Sequence, residues 1–301
     1  MSGDLGPDAL LDAPVPGGEL RGGIWHPEAT GGDVLALHGI TANLHSFSLI
    51  AGELPDVRVA APDQRGRGGS RDLPPPWGLD DLADDAARFA DAVGMERPVV
   101  LGHSMGAFVA TRLAQRHPDR VAALVLVDGA LPLAPPPPRP DGTMPTAEDL
   151  LGPALARLSM EFPSAEAYLD FFRAHPALGP YWNDAVEAYV RADLYGEEPS
   201  LRPAARLEAV RDAMLELPDV GAHTRALDAI AVPATFMRAP RDLLDGPDGM
   251  YPKAHAEQWL DRTPSIGTRI EVEDANHYGI AMTPAGARAV ANAVRAHLPG
   301  L

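Results

Sequence analysis

Five short runs of nearly unbroken apolar residues recur along the chain: DVLALHG (33–39), VRVAAPD (57–63), PVVLGHS (98–104), AALVLVDG (122–129) and VPATFMRA (232–239). A strand with one face in water alternates apolar and polar residues, whereas a strand covered on both faces need not. These runs therefore predict buried parallel strands, and TRIEVEDANH (268–277) reads as one more. Amphipathic stretches separate them. Leu82, Ala86, Phe89 and Val93 recur at helical spacing within 79–93. A closing helix is predicted over 284–298, with Thr283 as its cap and Pro284 in its first turn. Strand-then-helix alternation of this kind predicts an α/β fold built on a doubly wound, mostly parallel sheet.

One segment breaks the alternation. After Asp128 comes LPLAPPPPRPDGTMP, whose prolines forbid both helix and strand. Helix-like stretches follow, and the strand pattern resumes only at Val232. This predicts a helical cap at 132–226, inserted into a core made of 1–131 and 227–301.

Composition narrows the function classes. The formal net charge of −17 argues against broad binding to nucleic acid or to an anionic membrane. The chain has no cysteine, which removes disulfides, thiolate metal sites and cysteine nucleophiles. Its first residues, MSGDLGPDALLDAPVPGG, do not resemble a secretory signal. No run of about 18 apolar residues is present to span a membrane. A cytoplasmic location is the expectation.

The chemistry centres on VVLGHSMGAF (99–108). Gly102-His103-Ser104-Met105-Gly106 fits G-x-S-x-G, with a strand leading in and a helix leading out. So sharp a turn strains the serine backbone, and the flanking glycines remove side chains that would clash. The hydroxyl then projects at a helix N-terminus, where dipole and free N–H groups favour developing negative charge.

With these motifs the chain resembles α/β-hydrolase-fold serine hydrolases that carry a cap, over about residues 20–300. LHGIT (37–41) resembles the oxyanion loop after the family's third strand, and PDQRGRGGS (62–70) its D-x-R-G-x-G-x-S stretch after the fourth. GHSMG resembles the nucleophile elbow after the fifth. The resemblance implies the fold and a triad in the order Ser, acid, His, with the cap inserted after the sixth strand. RGRGGS lacks both G-x-G-x-x-G and the Walker lysine, so nucleotide binding is not expected.

Ser104 is the expected nucleophile. The amides of Met105, which follows it, and of Ile40, which follows His38-Gly39, are the expected oxyanion donors. His277, just past the last predicted strand, is the expected base among ten histidines, and His38 is expected to orient its loop. The acid should follow VPATFMRA, where APRDLLDGPDGMYP offers Asp242, Asp245 and Asp248. Asp245 is favoured. It lies 32 residues before His277, and this loop resembles that of capped esterases related to monoalkyl phthalate hydrolases. Asp242 is second, and Asp128, ending LVLVD, is a further position for the acid. Trp182 is a candidate for the substrate pocket. No cofactor and no metal are expected, and the expected partner is a small-molecule ester. A lactonase, an amidase, a carbon–carbon hydrolase or a cofactor-free perhydrolase would use the same triad. A non-catalytic ligand-binding protein of the same fold is the alternative of another class.

Overall fold

The computed structural model describes residues 5–135, 141–143 and 152–298. Eight strands form one sheet: β1 (Ala9–Val15), β2 (Gly18–Trp25), β3 (Asp33–Leu37), β4 (Arg58–Pro62), β5 (Val99–His103), β6 (Ala123–Val127), and, past a two-stranded ribbon of β7 (Leu194–Tyr195) and β8 (Arg202–Pro203), β9 (Ala234–Arg238) and β10 (Ile266–Glu271). Their order is β1-β2-β4-β3-β5-β6-β9-β10. β1 and β2 run antiparallel to their neighbours, and the pairs from β4 to β10 are parallel.

The apolar runs of the sequence have a direct physical reading in this sheet. Residues of one strand alternate between two cores. Val34, Ala36, Val99, Leu101, Val125 and Met237 face the core that holds Ile50, Val290 and Val294. Leu35, Leu37, Val100, Leu124, Leu126 and Phe236 face the core that holds Phe89, Phe108, Val109 and Leu260. Helices Leu79–Ala92, Met105–Arg116 and Lys253–Arg262 cover this second face, while Ser48–Gly52 and Pro284–Arg295 cover the first. Thr283 Oγ1 accepts the N–H of Gly286 at 3.1 Å, with Pro284 in the first turn as the sequence predicts.

Two features depart from the sequence reading. The hairpin β1–β2 was not expected: it sits at the sheet edge, its burial along β1 alternates, and prolines interrupt it. The run predicted as a strand over 268–277 pairs only as far as Glu271, beyond which the chain turns into the loop that carries His277.

Between β6 and β9 the described residues carry helices at Gly152–Arg157, Ala165–Arg173, Asp184–Ala192, Leu207–Glu216 and Val220–Asp228. Residues 136–140 and 144–151 of the predicted proline-rich stretch and of the helix after it lie outside the described residues. Hydrogen bonds tie the segment to loops at the carboxyl ends of the strands. Asn43 Nδ2 donates to Tyr189 O, Asn276 Nδ2 to Ala177 O, and Asn183 Nδ2 to Met282 O, each at 3.0 Å. The last helix lies instead on Met105–Arg116, where Phe108 meets the His223 ring at a tilt and Arg112 donates to Ala222 O.

Leu101, fully buried in β5, should be among the costliest truncations in the sheet. Leu101→Ala is expected to lower stability by about 2–5 kcal/mol in urea unfolding, and a loss below about 1 kcal/mol would mean that this strand is not central to the core.

Candidate active site

Ser104 stands between β5 and the helix Met105–Arg116 with φ 56° and ψ −124°, a left-handed backbone that a side-chain-bearing residue adopts only when its surroundings impose it. The surroundings do so by close approach. A Cβ on Gly106 would lie 1.9 Å from Leu37 O, and one on Gly102 would lie 2.4 Å from Gly106 O. The elbow is thus packed backbone against backbone on the end of β3. Met105 opens the helix, so its N–H is one of the terminal donors without an intrahelical acceptor.

The loop after β3 reaches the same point. A Cβ on Gly39 would sit 3.4 Å from Ser104 Cβ and 3.7 Å from its Oγ. His38 holds this loop. Its Nε2 accepts the Gln64 N–H at 2.9 Å, which leaves the proton on Nδ1 to donate to Gly39 O at 2.9 Å. Burial lowers the His38 pKa to about 3, so the ring stays neutral and keeps this tautomer. Gly39 O and the Ile40 N–H belong to one peptide group, so the donation from His38 also polarises the amide expected to meet an oxyanion. Asp63 braces the loop from the other side, accepting from Leu44 N at 2.8 Å and from Gly69 N at 2.7 Å. Burial pushes its pKa up to about 6.

His277 is buried at the end of the loop after β10. Its carbonyl accepts from Nε2 of His103, the residue before Ser104, at 2.8 Å, and the two rings lie 4.9 Å apart. His277 is therefore held against the strand that carries the serine. Burial lowers the His103 pKa to about 3, which keeps a second positive charge away from His277.

The carboxylate against the imidazole corrects the sequence reading. Asp128 Oδ2 lies 2.7 Å from His277 Nδ1, while Asp128 Oδ1 accepts from Ala239 N at 3.1 Å. Asp245 and Asp242 are not in that place. Asp245 pairs with Arg241 at 3.0 Å and accepts from Asn276 Nδ2 at 2.9 Å. Asn276 Oδ1 in turn accepts from the N–H groups of Tyr278 and Gly279, so Asp245 steadies the His277 loop one residue away. Asp242 closes its own turn, accepting from Leu244 N and Gly246 N, both at 2.8 Å. Spacing along the chain favoured Asp245, but the sheet order sets β6 directly beside β5, and this brings Asp128 to the serine's side. A signal was available in Gly129. A Cβ there would stand 2.2 Å from Ser104 O, so the D-G pair ending β6 marks a backbone passing tightly over the elbow. Asp128 itself has φ 47°.

Trp182 lies under the guanidinium of Arg173, 5.1 Å from ring centre to carbon. Among the described residues no hydrogen bond or ring contact joins it to Ser104 or His277. Tyr278 does pack edge-on against the His277 ring at 5.6 Å, and it meets the His175 ring edge-on at 5.6 Å as well. Among the described residues no group of three or more His, Asp or Glu side chains is placed to hold a metal ion. None of their helices is long and apolar enough to cross a membrane.

A serine at a strained strand-to-helix turn, a buried histidine–aspartate pair and a glycine-bordered loop all meet at the carboxyl ends of β3, β5, β6 and β10, and this arrangement defines the class: the chain has the α/β-hydrolase fold. A family model described by that fold matches residues 34–170. In sequence the chain is 42% identical over 100 residues to the lipase LipV of Mycobacterium tuberculosis, covering 33% of this chain and 38% of that protein. It is 44% identical over 72 residues to the putative carbamate hydrolase RutD of Caulobacter vibrioides, covering 24% of this chain and 27% of that one. The matched stretches thus span well under two thirds of either relative. A structure of E-2-(acetamidomethylene)succinate hydrolase superposes with a TM-score of 0.74 at 23% identity, over 94% of this chain and 98% of the other.

The two aspartates can be told apart by how fast Ser104 reacts with a fluorophosphonate. Asp128→Asn is expected to slow labelling by about 10³-fold or more, because an amide cannot stabilise an imidazolium. Asp245→Asn is expected to cost about tenfold or less, through a loosened loop. A greater loss at Asp245 would return the acid to that loop.

Proposed function

We propose that the protein hydrolyses small carboxylic esters through an acyl-enzyme on Ser104. The observation that carries this reading is the buried contact of Asp128 with His277 Nδ1. An ionised carboxylate only accepts, so the imidazole proton sits on Nδ1, and Nε2 is left as the base for the serine. In the proposed cycle His277 takes the Ser104 proton as Oγ attacks the ester carbonyl. The amides of Ile40 and Met105 receive the oxyanion, and His277 returns the proton to the leaving alcohol. Water activated by the same histidine then releases the acid. No cofactor takes part in these steps.

The segment 132–226 is proposed to act as a cap that limits the acyl and alcohol groups admitted. Its bonds to the loops at Asn43, Asn276 and Met282 support that role. The edge-on pair Tyr278 and His175 is the proposed wall beside the base, and Trp182 a further candidate for the pocket. The likeness to a lipase supports ester chemistry, and the likeness to a putative carbamate hydrolase supports the same residues acting on a carbamate.

A panel of p-nitrophenyl esters from acetate to palmitate, with an aryl carbamate and an emulsified triglyceride beside it, tests the reading. The expected result is turnover of short and medium esters, lost by about 10³-fold or more in Ser104→Ala with the fold retained. Preference for palmitate with activation at an oil–water interface would make this a lipase. Turnover of the carbamate alone would move the substrate class, and an active Ser104→Ala would end the acyl-enzyme mechanism.

A further inference from the structure

We propose that Arg67 is a positioning residue for the oxyanion site, a fixed positive charge set behind the two residues whose amides receive the developing anion. The inference rests on the ester-hydrolase reading above. Arg67 comes from the Gly-rich loop after β4 and is fully buried. Its Nε donates to Ile40 O at 3.0 Å and its Nη2 lies 3.7 Å from Met105 Sδ, so one guanidinium touches both Ile40 and Met105. Its other bonds go to Arg65 O at 2.7 Å and Ala209 O at 3.0 Å.

What sets this side chain apart is the lack of a counter-charge. Buried cations are normally answered by carboxylates, because leaving water is costly. The other buried arginines among the described residues obey this rule. Arg65 pairs with Asp85, Arg112 with Asp80, Arg157 with Asp193 and Arg238 with Glu271. Among the described residues no carboxylate comes within 4.0 Å of Arg67, and the acid whose field reaches it, Asp212, is exposed. Its bonding partners are three backbone carbonyls and a thioether sulfur, all without formal charge. An apolar side chain of similar volume would fill the space without the cost of burying a charge. A negative charge that forms only during the reaction, between the amides of Ile40 and Met105, would supply the missing partner. Such a charge is stabilised in the transition state and not in the neutral ester, which is the condition for a gain in kcat.

The titratable and charged groups facing Arg67 are His38 at the end of β3, Asp212 on the helix Leu207–Glu216 and Arg65 on its own loop. Burial already lowers the Arg67 pKa to about 9, so a lysine in its place would lose its proton at lower pH still.

The test compares wild type, Arg67→Met and Arg67→Lys on p-nitrophenyl acetate across pH, with inhibition by an alkyl trifluoromethyl ketone, whose serine adduct is anionic. Thermal melting checks each fold. For Arg67→Met, kcat should fall by about 30-fold and the ketone should bind weaker by a similar factor, while KM stays within about threefold. Arg67→Lys should keep most of the wild-type kcat at the acid end of the profile and lose it through an alkaline limb at lower pH than that of wild type. Should the methionine variant fail to fold, that alkaline limb decides alone. A methionine variant within twofold of wild type in kcat, or equal losses in both variants with the alkaline limb of the lysine variant unmoved from that of wild type, overturns the proposal. Fluorophosphonate labelling of wild-type Ser104 separates the two levels. An unlabelled serine removes the ester-hydrolase reading and Arg67's role with it, whereas a labelled serine with indifferent Arg67 variants removes only the latter.

Discussion

Everything at the site hangs on backbone segments that touch without side chains between them. The elbow at Ser104 packs through Gly106 on the carbonyl of Leu37, and Gly129 lays the end of β6 over the carbonyl of Ser104. Three neighbouring strands thereby bring three candidate groups to one place: the loop after β3 with Ile40, the serine after β5, and Asp128 after β6. Strained φ values at Ser104 and Asp128 persist because this packing leaves the chain no other path. The helices on both faces fix the strands, the strands fix the carbonyls, and the carbonyls fix the glycines.

Much of this could be read in the sequence, because it follows from short-range pattern. Strands buried on two faces print as apolar runs, and the elbow prints as G-x-S-x-G between a strand and a helix. The position of His277 was legible from the loop after the last predicted strand, where the sequence places it. The carboxylate beside His277 was not, because the pairing of Asp128 with His277 spans 149 residues and depends on sheet order, which no local pattern records. Asp245 looked right by distance along the chain, yet its carboxylate is taken up by Arg241 and Asn276. The hairpin β1–β2 was missed because an edge needs neither continuous apolarity nor freedom from proline.

The stretch PDQRGRGGS, readable only as a family signature, acquires separate physical meanings residue by residue. Asp63 joins the loop of Leu44 to that of Gly69. Arg65 is held by both oxygens of Asp85 and reaches Pro16 and Pro74 carbonyls, pinning the hairpin connection to the helix Leu79–Ala92. Gly68 must lack a Cβ, which would meet the Asp63 carboxylate at 2.3 Å. The signature is therefore a bracket that fixes the loop after β3, one strand removed from the serine.

Asn276 has a double attachment, to Ala177 in the helical segment and to the backbone that begins the His277 turn. Arg241 reinforces it by bonding Asp245 on one side and the Tyr181 hydroxyl on the other. The helical segment and the loop of His277 are in this sense one mechanical part. A displacement of the helices near Ala177 pulls on the peptide that aims the imidazole, so the helical segment is not an interchangeable module. A chimera that exchanged it for one from another chain would remove the Ala177 acceptor of the Asn276 amide and leave the turn before His277 held from the side of Asp245 alone.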